Sequence, residues 1–154
     1  MLLTVETRST TNIIQLATAD NRAAIVDLLG SLHLPTVDLP VTLDNFVIAK
    51  EKETVVGCGG LEVYGSVALL RSLAVATHWQ GQGLGNLLYR AALDLAQEKR
   101  VEEVYLITTT ASDFFLKQGF QKVERALVPA AIQQTAQFTS VCPSSATIMQ
   151  RTII

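Results

Sequence analysis

The most chemically suggestive spacing in the chain is Gln80-Gly81-Gln82-Gly83-Leu84-Gly85. It stands between an apolar, strand-like run, Leu69 to Val75, and a helical pattern from Leu87 to Lys99. Alternate glycines at such a turn let successive backbone N–H groups point into one concavity, because no side chain blocks approach. The first N–H groups of the helix lack intrahelical acceptors and lie at the positive end of its dipole, which favours an anion. A phosphate-bearing ligand is the expected occupant, with a pyrophosphate the natural fit. No Gly-Lys-Ser/Thr follows, which excludes a Walker A loop. The G-x-G-x-G order at mid-chain also departs from the dinucleotide fingerprint, which opens its domain.

The surrounding pattern supplies the elements that must hold this turn. A strand is expected over Asn12 to Ala17, then an amphipathic helix over Arg22 to Leu32, ended by Leu34-Pro35. Thr36 to Asp44 connects. Phe46 to Ala49 and Val55 to Cys58 flank the charged turn Lys50 to Thr54 as a hairpin, and the second strand continues to Tyr64. Gly57, Gly59 and Gly60 would weaken an ordinary strand, so a bulge or a close backbone approach is expected there. Past the long helix come a strand from Glu103 to Thr109, a short helix from Ala111 to Gln118 and a strand-like Phe120 to Leu127. A helical turn over Pro129 to Ala136 and a last strand, Ala146 to Ile153, complete the order. This is an α/β (α+β) chain with a mixed, mostly antiparallel sheet of roughly six to seven strands and about four helices. Residues 1–11, polar and Thr-rich, are expected to form a loose arm before a single domain at 12–154.

Composition narrows the function. With 154 residues, 49% hydrophobic and 17% charged, the chain can bury a substantial core. A mean hydropathy of +0.32 points to a dimer face or a deep apolar pocket. Net charge −2 argues against a nucleic-acid partner. Two cysteines, Cys58 and Cys142, make neither a disulfide framework nor a metal knuckle, and no metal is expected. The start lacks the basic flank and apolar stretch of a secretory signal, and no run is long enough to span a membrane. A cytoplasmic setting is the expectation.

The glycine turn also reads as Gln-x-x-Gly-x-Gly after a Leu-x-Val strand end, with Gln80, Gly83 and Gly85 following Leu73 and Val75. Together with Phe114-Phe115-Leu116-Lys117-Gln118-Gly119-Phe120, this resembles the GNAT superfamily of acetyl-CoA-dependent N-acetyltransferases, from Ile13 to Arg151 in motif order. The resemblance implies a GNAT fold whose fourth strand, ending at Val75, splays from the fifth. It implies acetyl-CoA as cosubstrate, its pantetheine arm on the main chain of Leu73, Ala74 and Val75. The pyrophosphate would lie on Gln80, Gly81, Gln82, Gly83, Leu84, Gly85 and Asn86, with further cofactor contacts from Thr108 and Phe115. A primary amine on a small acceptor would attack the acetyl thioester directly.

An alkylammonium with a pKa near ~10 is mostly protonated at neutral pH, so a base is needed. Glu62, at the end of an apolar, Gly-rich strand, is the candidate. The family often carries a tyrosine that protonates the leaving thiolate; Phe115 stands at that position here and cannot donate. A thiol with a pKa near ~8.5 leaves without a dedicated acid. Arg71, the only cation within its strand, needs an anion if buried. A substrate carboxylate suits its fork, and an ion pair to Glu62 is the alternative. Tyr64 and His33 are further substrate-side candidates, His33 equally a helix cap. His78-Trp79 packs or shields, Cys58 belongs to the core, and Cys142-Pro143 pack in a loop unless that thiol is reactive.

Two stretches are more specific. Gly57 to Tyr64, with Leu106 to Thr110 and Phe114-Phe115, is similar to the acetyltransferase domain of N-acetylglutamate synthases, which usually has arginine in place of Thr110. Ala68 to Val75, Thr108 to Phe115, Pro129 to Ile132, Phe138, Cys142-Pro143 and Ser145-Ala146 resemble the small GNAT enzymes of bacterial arsenic-resistance operons. That likeness implies arsinothricin or phosphinothricin as acceptor. Two other classes stay open: an acyl-CoA sensor without turnover, and an acetyltransferase acting on protein N-termini or lysines.

Overall fold

A computed structural model of the chain describes residues 2–7, 10–139 and 145–153. Among these the strands are β1 (Leu2–Thr7), β2 (Thr10–Leu16), β3 (Phe46–Glu51), β4 (Thr54–Tyr64), β5 (Val67–Val75), β6 (Glu103–Thr108), β7 (Gln121–Lys122) and β8 (Thr147–Thr152). The helices are α1 (Arg22–Ser31), α2 (Leu84–Glu98), α3 (Ser112–Lys117) and two single turns, α4 (Ala130–Gln133) and α5 (Ala136–Thr139). The strand order is β1-β2-β3-β4-β5-β6-β8-β7, antiparallel in the ladders β1–β2, β2–β3, β3–β4, β6–β8 and β7–β8 and parallel between β5 and β6. The mixed, mostly antiparallel α+β architecture is the one expected, with eight strands where six to seven were anticipated.

The addition is at the N-terminus. Leu2–Thr7, expected within a loose arm, pairs with β2 as a hairpin from Leu2↔Gln15 to Thr7↔Thr10. Its Thr and Val content suits a strand; only its polarity had suggested otherwise. The second correction concerns Phe120 to Leu127. Only Gln121 and Lys122 pair, with Gln150 and Met149, before the chain coils into a 3-10 turn at Arg125–Leu127. Cys142 and Pro143 lie outside the described residues.

Packing gathers the chain into two compact units, through which β4 and β5 both run. The first holds the chain up to Leu61 together with Ser72–Leu95. Strand alternation divides its side chains between two faces. Phe46, Ile48, Cys58 and Ala74 bury against Ile25, Leu28 and Leu29 of α1. Val47, Ala49 and Val56 bury against Leu84, Leu88 and Ala91 of α2, with Leu73 and Val75 packed alongside. Gly57 shows why its strand needs glycine: a Cβ there would lie 2.6 Å from Leu88 Cδ1 and 3.2 Å from the Ala74 carbonyl oxygen. The connection after α1 carries no helix; Arg22 Nη1 anchors it by donating to Pro40 O at 2.8 Å.

The second unit holds Glu62–Arg71 and the chain from Ala96 onward. Its ladder between β5 and β6 runs from Val67↔Glu103 to Leu69↔Tyr105 and stops, leaving Leu70 and Arg71 beyond it. β8 pairs with β6 along its whole length, from Glu103↔Thr152 to Thr108↔Thr147. Leu69, Tyr105, Val128, Ile132, Phe138 and Ile148 form the core that α4 and α5 close.

Candidate active site

The glycine turn is built as its spacing suggests. Gly81 and Gly83 adopt φ +80° and +87°, the left-handed region that favours glycine, and nothing stands within 4 Å of where either Cβ would be. Leu87 N–H donates to the Gly83 carbonyl at 3.2 Å, which opens α2. The N–H groups of Leu84, Gly85 and Asn86, in the first turn, have no hydrogen bond among the described residues. Asn86 Oδ1 is buried without a partner, an atom that awaits a donor. Open space, orphaned amides and the helix dipole together fit a diphosphate.

The glutamines of the turn do something else. Gln80 Nε2 donates to the Val75 carbonyl at 2.9 Å, and Gln82 Nε2 to the His78 carbonyl at 3.3 Å. These side chains brace the turn against the strand end and the loop. Within the strand end expected to hold the pantetheine arm, Leu73–Val75, the Val75 carbonyl accepts from Gln80. Leu73 and Val75 turn their side chains to α2, and Ala74 turns to the α1 side. Just before them Ser72 takes φ +58°, strained for a residue with a Cβ, and its carbonyl accepts from Cys58 Sγ at 3.1 Å. Sequence reasoning passed over Ser72, since serine carries no signal for that conformation.

A second constellation lies wholly within the other unit. Arg71 Nη1 donates to Glu62 Oε2 at 2.7 Å, and the Tyr64 hydroxyl donates to Glu62 Oε1 at 2.5 Å. The Arg71 side chain is 0% exposed and that of Glu62 14%. Tyr64, at 38%, is the most exposed of the three. Both oxygens of a carboxylate are thus held by different donors, one charged and one neutral. Desolvation, the hydrogen bond to Glu62 and that carboxylate's charge push the Tyr64 phenol far above its ordinary value, with Arg71 pulling the other way. Tyr64 therefore keeps its proton. Of the two partners left open for Arg71, the structure supplies Glu62.

The other named residues are placed as follows. Thr108 Oγ1 accepts from Ala111 N–H at 2.9 Å and Thr110 N–H at 3.3 Å, turning the chain into α3. Phe115 is buried edge-on to Phe114 and Phe120, at 5.0 Å and 5.5 Å between ring centroids. His33, exposed at φ +60°, closes α1 by donating to the Gly30 carbonyl, as a left-handed C-cap does. Trp79 packs on the α2 face of the first core. Among the described residues no three His, Cys, Asp or Glu side chains form a metal-sized group, and no helix is long and apolar enough to cross a membrane.

Comparisons with known proteins bear on this geometry. An uncharacterised N-acetyltransferase of Chlorobaculum tepidum is 34% identical over 89 residues, 57% of each chain. An amino-acid acetyltransferase of Mycobacterium tuberculosis is 28% identical over 112 residues, 70% of this chain and 61% of that one. The chain therefore spans less than two thirds of these relatives. In fold it superposes on N-acetylglutamate synthase of Neisseria gonorrhoeae, solved with coenzyme A and N-acetyl-glutamate, with a TM-score of 0.80 at 18% identity, over 96% of this chain and 36% of that one. A Mycobacterium tuberculosis protein solved with CoA gives 0.77 at 22% identity, over 92% of this chain and 99% of that one. Residues 42–122, which include the glycine turn, Glu62 and Arg71, match the family model of the acetyltransferase (GNAT) domain, and the chain belongs to that family.

Proposed function

We propose that this chain transfers an acetyl group from acetyl-CoA to the primary amine of a small, amino-acid-like acceptor. The observation that carries the reading is the turn at Gly81–Asn86, where open space and unpaired amides meet at a helix N-terminus. Those amides would hold the diphosphate of coenzyme A, and the main chain of Leu73, Ala74 and Val75 its amide-bearing arm. Acetyl-CoA supplies the activated acetyl group. The chain's own task is to present a neutral amine. At pH 7, deprotonating an ammonium of pKa ~10 costs about 4 kcal/mol, which a positioned carboxylate offsets. Glu62 takes that role. Arg71, buried and engaged with Glu62 through Nη1, supports the base, and its guanidinium is the proposed partner of an acceptor carboxylate.

The amino-acid acetyltransferases among the relatives support an amino acid as acceptor. Arsinothricin and phosphinothricin belong to the same chemical class. A second reading, an acyl-CoA sensor without turnover, is favoured by one observation: Phe115, at the place of the usual acid, is a packed core ring.

Release of free thiol from acetyl-CoA in the presence of L-glutamate, L-phosphinothricin or arsinothricin separates the two. We expect turnover with at least one, and saturable coenzyme A binding by calorimetry. Gly83→Glu adds a negative charge and a Cβ at φ +87°, and should weaken that binding at least roughly tenfold. Binding without turnover on any amine would leave the sensor; no binding by folded protein would end both readings.

A further inference from the structure

The exposures in the Glu62 network run in one direction: Arg71 at 0%, Glu62 at 14% and Tyr64 at 38%. An incoming ammonium that approaches from solvent meets the phenol before the carboxylate. The Tyr64 oxygen donates its proton to Glu62 Oε1, which leaves its lone pairs to accept. Glu62 Oε2 is already committed to Arg71. Resting on the acetyltransferase reading, we infer that Tyr64 is a catalytic residue that contacts the acceptor nitrogen and relays its proton to Glu62.

The relay conserves every proton. The ammonium N–H bond breaks as its proton passes to Tyr64 Oη, while the Tyr64 O–H proton passes to Glu62 Oε1. The amine becomes neutral, the phenol is restored, and Glu62 holds one proton. Arg71 beside it is a buried cation that needs the carboxylate's charge, so Glu62 hands the proton to water at its exposed edge and resets. A phenol that resists ionisation suits this work, since it never has to exist as a phenolate. The charged groups acting on Tyr64 are Glu62, from its own strand, and Arg71, from β5.

The test is Tyr64→Phe, which removes one oxygen from a half-exposed ring and leaves the Glu62–Arg71 pair in place. Initial rates with L-glutamate and with L-phosphinothricin are followed from pH 6 to 10. We expect kcat/KM for the amine to fall about a hundredfold near neutrality with the KM for acetyl-CoA unchanged. The deficit should shrink as pH approaches the ammonium's own pKa, because a neutral amine needs no relay. Glu62→Gln added to Tyr64→Phe should cost little more than either alone; if Glu62→Gln does not fold, the pH profile of Tyr64→Phe decides by itself. Independent of turnover, the alkaline ultraviolet difference between wild type and Tyr64→Phe should place the phenol's ionisation above the ordinary tyrosine range. An active wild type matched by Tyr64→Phe, or a deficit constant across pH, would overturn the relay and leave the acetyltransferase reading standing. A wild type inactive on both amines and on arsinothricin would remove both.

Discussion

Arg71 carries a full charge on a side chain with no exposure, and Glu62 Oε2 lies 2.7 Å from it. Truncating the carboxylate takes a charged partner from a buried guanidinium, a loss of about 3–5 kcal/mol in comparable pairs. Glu62→Ala should therefore destabilise the protein by at least roughly 3 kcal/mol in urea unfolding. Glu62→Gln should cost less, because its one carbonyl oxygen still accepts from Arg71 while its amide can donate to the Tyr64 oxygen. Replacing both partners by methionine should restore most of the loss, since no charge then remains buried. A Glu62→Ala protein as stable as wild type would show that the pair contributes little. The sequence flagged Arg71 as a cation needing an anion, and named Glu62 among its options. It could not choose, because alternation along a strand identifies facing partners only where the backbone stays extended, and at Ser72 it does not. A left-handed residue inside β5 breaks the period on which such a reading depends.

At the level of elements, β4 is thinned to let α2 approach. The Gly57-Cys58-Gly59-Gly60 run announced a close approach, but not what approaches. The structure shows Leu88 of α2 and the Ala74 carbonyl against Gly57. A methyl group added there meets Leu88 at 2.6 Å in a fully buried position, and the backbone oxygen cannot swing away. Gly57→Ala should cost about 1–3 kcal/mol, the range for overpacked cores. It should also disturb α2, whose first turn bears the proposed diphosphate site, so coenzyme A affinity should fall along with the melting temperature. Unchanged affinity and stability would mean that α2 slides freely over the strand. The backbone of the glycine turn was legible at Gly81 and Gly83, because tolerance of a positive φ is written directly into residue type. β1 and β7 were not. The polarity of residues 2–7 masked a local hairpin, whereas the extent of β7 is set by β8 further along the chain, which local pattern does not encode.

Across the whole molecule, groups that ionise in water but stay protonated when folded set a limit at high pH. Burial pushes the Cys58 thiol from 9.0 up to about 12. Burial and the hydrogen bond to Glu103 push the Tyr105 phenol up to about 12, and Tyr64 is raised in the same direction. Below pH 9 both native and unfolded chains keep these protons, so the folded state holds its full advantage. Between pH 9 and 12 the unfolded chain releases the Cys58 proton and the native chain does not. Stability then falls as pH rises, by up to about 1.4 kcal/mol per pH unit for this thiol. Tyr64 and Tyr105 add to the slope above pH ~10, where unfolded tyrosine begins to ionise. Cys58→Ser removes the titrating thiol while its hydroxyl can still donate to the Ser72 carbonyl. Urea unfolding at pH 8, 9, 10 and 11 should therefore show wild type losing stability more steeply than Cys58→Ser, with the two curves diverging from about pH 9. Parallel profiles would mean that Cys58 reaches water in the native state. The fold would then open at the contact between Cys58 and Ser72, beside Leu73 and Ala74 of the proposed coenzyme site.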